Sequence, residues 1–240
     1  MPLIRSFQAS LLAALLCWLG ACASTLAAQP KPPQVPEEVS SGDWEADMQG
    51  FAAADAVAPP PKHAVLFIGS SSIRFWDTLA ADFPAVPVIN RGFGGSQIRD
   101  STWYADRIVV PYAPRMIVLY AGENDLESGR SPQQVRDDLH AFVARVRRDL
   151  PQVRIAYVSS KPSPLRVHML EAERQANTLI ESDAGQLNVL FIDVFSPMLD
   201  ARGQPRRELF REDRLHMNAT GYELWTRIVA PYLDAEDPSR

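Results

Sequence analysis

From residue 65 onward the chain alternates between short apolar runs rich in β-branched residues and longer amphipathic stretches. The runs occupy 65–68, 86–89, 116–120, 153–158 and 189–192. They are apolar at successive positions, so strands built from them must be covered on both faces. The clearest helical pattern between them spans 131–150. Ser131 suits an N-cap, Pro132 the first helical position, and Gln134 completes a capping box. Val135, Leu139, Phe142, Val143, Val146 and Leu150 recur on one face, and Pro151 stops the helix. Strand–helix alternation of this kind predicts an α/β fold, a three-layer α/β/α sandwich around a mostly parallel sheet. Such sheets bind ligands beyond the C-terminal ends of their strands, so the residues that follow each run are the functional candidates.

The segment before this pattern reads differently. Arg5 precedes an apolar run over 11–19, too short for the roughly 20 residues that span a bilayer. Residues 1–22 are therefore expected to be a secretory signal peptide. Leu19-Gly20-Ala21-Cys22 resembles a bacterial lipobox, which would put a lipid anchor on Cys22, while Ala21-Cys22-Ala23 also fits a plain cleavage site. The expected localisation is exported, either periplasmic or as a membrane-anchored lipoprotein. Residues 23–62 read as a Pro-rich tether in which Trp44, Met48 and Phe51 recur at helical spacing, predicting a short docked helix ended by Pro59. The strand–helix domain is assigned to 63–240. Both cysteines, Cys17 and Cys22, precede it, so it has no disulfide and no cysteine nucleophile. The net charge of −5, without a Lys/Arg cluster, argues against a nucleic-acid partner.

Four candidate blocks follow the runs. Gly69-Ser70-Ser71-Ser72 sits at a strand-to-helix turn, where a backbone N–H is left unpaired. N-capping by a serine is the plainer reading of this block alone. Ile73 breaks the G-x-S-x-G nucleophile elbow, and no Gly-Lys-Ser/Thr follows, so an α/β-hydrolase is disfavoured and a Walker loop excluded. Asn90-Arg91-Gly92-Phe93-Gly94-Gly95 is glycine-rich and permits a tight turn or close approach to a ligand. Gly122-Glu123-Asn124-Asp125 can present an amide N–H to the cleft, with Glu123, Asp125 and Glu127 read as solvated loop acids. Asp213-Arg214-Leu215-His216 places a carboxylate three residues before a histidine, close enough to fix its tautomer. His63 lies at the wrong end of the sheet and His140 lies inside a helix. His168 is the reserve base.

Taken in order, Gly-x-Ser, Asn…Gly-Gly, Gly-x-Asn-Asp and Asp-x-x-His over this strand–helix series resemble the SGNH, or GDSL-type, hydrolase family across about residues 64–233. The resemblance implies a flavodoxin-like sheet and cofactor-free ester hydrolysis. It makes Ser71 the nucleophile, His216 the base and Asp213 its orienting acid, with Ser71, Gly95 and Asn124 forming the oxyanion hole and no metal. The aspartate of Gly-Asp-Ser is replaced by Ser70, which leaves Ser70 and Ser72 as rivals to Ser71. Phe93, Trp103, Tyr104, the 161–164 turn and Arg166 are candidates for the acyl pocket, Arg166 as a substrate anchor, although a structural role carries more weight for each. The expected partner is a small-molecule ester with a short acyl group. An acyltransferase on the same triad and a non-catalytic glycan-binding protein are the alternatives, and the oligomeric state is left open.

Overall fold

The structure, a computed structural model, describes residues 39–42 and 44–233. The expected signal peptide, the lipobox and the first part of the tether lie outside the described residues. The elements run α1 (Glu45–Val57), β1 (Val65–Gly69), α2 (Ser71–Arg74), α3 (Leu79–Asp82), β2 (Val88–Gly92), α4 (Ile98–Trp103), α5 (Ala105–Ile108), β3 (Met116–Tyr120), α6 (Glu123–Glu127), α7 (Pro132–Asp149), β4 (Arg154–Val158), α8 (Leu170–Ala184), β5 (Val189–Ile192) and α9 (Ala219–Leu233). All strand pairings are parallel, in the order β2-β1-β3-β4-β5. This is the flavodoxin-like order expected above.

The strands divide two cores between them by their twofold side-chain alternation. Leu66, Ile68, Ile117, Leu119, Ile155 and Tyr157 pack beneath α1, α4, α5, α7 and α8. Val65, Phe67, Met116, Val118, Tyr120, Ala156 and Val158 pack on the other face against α2, α3 and α9, around Trp76 and Trp225. The successive apolar positions of the runs thus serve two helical layers at once. Each fully buried aliphatic side chain contributes about 1.5–3 kcal/mol, which lets a domain without disulfides hold together.

The 131–150 helix forms as its sequence dictates. Ser131 Oγ accepts the Gln134 N–H at 3.2 Å, and Gln134 Oε1 accepts the Ser131 N–H at 2.8 Å. The second strand differs from its expected 86–89 span, because Asn90, Arg91 and Gly92 pair with Phe67, Ile68 and Gly69 and extend it. Polar residues are tolerated there because β2 is an edge strand, and Arg91 is covered by Asp55, Phe51 and Tyr112. The docked helix α1 ends before Pro59 and contributes Met48 to the core. Ser40 also anchors this stretch, its N–H and hydroxyl both donating to Asp100. No helix among the described residues is long and apolar enough to cross a membrane.

Candidate active site

The sheet order reverses between β1 and β3, and the crevice beyond their C-terminal ends is where such sheets bind ligands. Three of the four sequence blocks leave the sheet there, after β1, β2 and β3. Gly69 makes the first exit feasible. Its φ is +131°, and a Cβ on it would lie 1.8 Å from the Tyr120 carbonyl oxygen, the same oxygen that accepts the Ser70 N–H at 2.9 Å. The chain therefore turns sharply off β1 and places Ser71 at the first position of α2. Ser70 and Ser72 are both 3% exposed, and Ser71 is the half-buried one of the three.

The last block reaches Ser71 from the other end of the chain. His216 Nε2 lies 3.2 Å from Ser71 Oγ, and His216 Nδ1 lies 2.8 Å from Asp213 Oδ2. Asp213 Oδ1 accepts the backbone N–H groups of Leu215 and His216, both at 2.9 Å. Burial pushes the Asp213 carboxyl up, but these two N–H groups and the His216 ring outweigh it and hold its pKa at about 2. Asp213 is thus a permanent anion fixing one ring nitrogen of His216 while the other faces a serine hydroxyl. Of the remaining histidines, His140 pairs with Asp183 at 3.0 Å and His168 lies 3.5 Å from Glu127, neither of them against Ser71.

Gly95 and Asn124 sit on the loops after β2 and β3. Gly95 has φ +82°, and a Cβ there would meet the Trp44 ring at 3.2 Å. Asn124 Nδ2 donates to the Ser96 carbonyl at 3.1 Å, which ties the two loops together. Among the described residues, neither the Ser71 nor the Gly95 N–H has an acceptor. The site therefore combines an oriented imidazole, a hydroxyl and uncommitted N–H donors, the set that acyl transfer through a tetrahedral oxyanion requires.

The third block holds a correction. Glu123 and Asp125 are not solvated loop acids but are 4% and 0% exposed. The short helix α6 turns Glu123 inward, where it accepts from Lys161 Nζ at 2.7 Å, Tyr120 OH at 2.9 Å and Ser163 Oγ at 3.1 Å. Burial works against its charge, but Lys161 and Arg166 keep it ionised and its pKa lowered. Asp125 accepts the Ile98 N–H at 3.1 Å, and burial raises its pKa to about 7. Lys161 and Arg166 are consequently committed inside the protein, and Phe93 and Tyr104 belong to the core.

Two residues at the site were not read as site residues in the sequence, Phe75 and Trp44, the latter expected only on the face of a docked helix. The Phe75 ring meets His216 edge-on at 4.9 Å and carries Arg211 at 5.3 Å from its centroid. It follows Ser71 by one helical turn, a spacing that could have suggested it. Trp44 gave no such signal, because its contact with the Gly95 loop exists only once α1 docks. A cavity of about 440 Å³ opens beside Phe75, lined also by Asp77, Arg211, Tyr222 and Glu223, and does not include Ser71.

The profile of the GDSL-like lipase/acylhydrolase family matches residues 68–224. The chain belongs to that family. It is an ester-hydrolysing enzyme, and the matched span contains all four blocks. Solved structures share the fold. A GDSL-like lipase from Bacteroides thetaiotaomicron superposes with a TM-score of 0.67 at 18% identity, covering 79% of this chain and 98% of that one. An acetyl-xylooligosaccharide esterase from Geobacillus stearothermophilus superposes at 0.60 and 18%, covering 74% and 96%. A lipase/acylhydrolase from Enterococcus faecalis superposes at 0.59 and 18%, covering 72% and 99%. A comparison with curated protein sequences returned no significant match.

Glu173 of α8 lies behind this site, 0% exposed, with neither carboxylate oxygen hydrogen-bonded among the described residues. Burial, and then the negative charge of Glu123, raises its pKa from 4.5 to about 9. The folded protein thus retains a proton there that the unfolded chain releases above its ordinary value. The associated stability is complete below about pH 4.5 and declines as pH rises toward 9. Glu173→Gln, which stays neutral, should gain melting temperature over the wild type progressively from pH 5 to pH 9. A constant difference across that range would show that Glu173 is ionised in the fold.

Proposed function

We propose that this enzyme is an exported serine ester hydrolase acting on small acyl esters through a Ser71-His216-Asp213 triad. The observation that carries the reading is the unbroken line from Ser71 Oγ to His216 Nε2 at 3.2 Å and from His216 Nδ1 to Asp213 Oδ2 at 2.8 Å. Ser71 Oγ attacks the ester carbonyl carbon while its proton passes to His216 Nε2. The tetrahedral oxyanion meets the N–H groups of Ser71 and Gly95 and the side-chain amide of Asn124. Collapse breaks the ester C–O bond, and His216 returns the proton to the departing alcohol. Water, deprotonated by His216, then cleaves the acyl-serine and releases the acid.

A short acyl group is favoured by two features. The Trp44 ring closes the space over Gly95, and the described residues carry no long apolar insertion over the site. The Geobacillus neighbour acts on acetylated xylo-oligosaccharides, and an acetyl ester of a carbohydrate is the natural substrate class proposed here. Export rests on the signal-like segment 1–22, with Cys22 as the proposed site of lipidation.

Two measurements test the reading. The domain should hydrolyse p-nitrophenyl acetate faster than p-nitrophenyl octanoate, and faster octanoate turnover would sink the short-acyl assignment. Asn124→Ala should lower kcat by about 10²–10³-fold, the usual effect of losing one oxyanion donor, about 2.7–4 kcal/mol. A kcat near that of the wild type would remove Asn124 from the oxyanion hole.

A further inference from the structure

Arg166 follows β4 at the crevice end of the sheet, and its guanidinium is already engaged by protein groups. The side chain is 14% exposed. One terminal nitrogen donates to Asn124 Oδ1 at 3.0 Å and lies 3.3 Å from Glu123 Oε1. Its Nε lies 3.8 Å from Glu127. Glu123 is itself locked by Lys161, Tyr120 and Ser163. The guanidinium is therefore fixed by an anion that is itself locked and, through the same terminal nitrogen, grips one amide.

That grip determines what Asn124 can do. A side-chain amide has a carbonyl oxygen and two N–H donors. The oxygen accepts from Arg166, and one N–H is spent on the Ser96 carbonyl. A flipped amide would set Nδ2 against the guanidinium donor and Oδ1 against the Ser96 carbonyl oxygen, two repulsions in place of two hydrogen bonds. The orientation is thus fixed, and a single N–H remains uncommitted. A cation on the carbonyl oxygen also draws electron density from the amide nitrogen, which strengthens that N–H as a donor.

We infer that Arg166 is a positioning residue of the oxyanion hole, acting through Asn124 by fixing its amide plane and polarising its free N–H. The inference rests on Asn124 being an oxyanion donor, as proposed above. It replaces the substrate-anchor role suggested by sequence with one that touches no substrate. Because the effect is confined to the developing oxyanion, it belongs in kcat and not in KM.

The test is a double-mutant cycle on p-nitrophenyl acetate hydrolysis. Arg166→Met should lower kcat about tenfold or more with KM changed by less than about twofold. In the Asn124→Ala background the same substitution should change kcat by less than about twofold, because the group it acts through is gone. Glu123 keeps Lys161 as a partner in the methionine variant, and thermal melting verifies its fold. If that variant does not fold, Arg166→Lys serves instead. A lysine keeps the charge on a shorter side chain without the planar guanidinium that fixes the nitrogen between Asn124 and Glu123, so kcat should fall less than in the methionine variant, and only when Asn124 is present. Losses that multiply in the double variant, or a raised KM at unchanged kcat, would overturn the inference. A wild-type kcat in Asn124→Ala alone would overturn the oxyanion reading itself, a failure distinguishable from that of Arg166.

Discussion

Ser71→Ala is expected to lower kcat for p-nitrophenyl acetate by about 10⁴–10⁶-fold while leaving the fold intact. Ser70 and Ser72 cannot take over. Both are 3% exposed, the Ser70 N–H is held by the Tyr120 carbonyl at 2.9 Å, and the Ser72 carbonyl is held by Tyr222 OH at 3.0 Å. The Ser71 hydroxyl has its hydrogen-bond partner in His216 and no structural duty beyond it. Its removal should leave thermal melting close to the wild type, and residual turnover should reflect the oxyanion donors alone. Activity retained to within tenfold of the wild type would place the nucleophile elsewhere. Ser70→Ala and Ser72→Ala would then identify it.

The second large effect is expected at Asp213. Asparagine there keeps Oδ1, the atom that accepts the Leu215 and His216 backbone N–H groups, so the loop should stay closed. Its amide nitrogen would replace Oδ2 and donate to His216 Nδ1. The ring proton would then move to Nε2 and point at Ser71 Oγ. An imidazole in that tautomer cannot accept the serine proton, and kcat should fall by about 10⁴-fold at similar KM. A loss below tenfold would mean that another group orients His216. The wild-type carboxylate, with its pKa at about 2, is ionised at any pH used for esterase assays. Acid inactivation of the wild type above pH 4 should therefore not trace to Asp213. Its stabilising contribution holds above the ordinary carboxylate pKa of 3.8 and is lost only as pH falls through about 2.

Much of this architecture was legible in local chemistry. The 131–150 helix could be read because its cap, first-turn proline and apolar stripe all lie within one segment. The strands over 116–120 and 189–192 could be read because burial on both faces leaves an apolar run with no alternation. The edge strand β2 was misplaced because its covering groups, Asp55 and Tyr112, come from distant segments. The pairing of Asp213 with His216 was readable for the same local reason, since three residues separate them.

What sequence alone determined is therefore the set of local decisions: the 131–150 helix, the strands other than the limits of β2, the parallel character of the sheet, and which carboxylate pairs with which histidine. Tertiary structure decided everything that depends on chain segments far apart. It brought His216 to Ser71 across 145 positions, buried Glu123 against Lys161 across 38, and set Arg166 on Asn124 across 42. It also turned acids that look solvated into the fixed anions and buried protons behind the site. The physical reason is that burial and hydrogen-bond partnership are properties of packed neighbours, and a charged side chain has the same local pattern in a loop as in a core until those neighbours arrive.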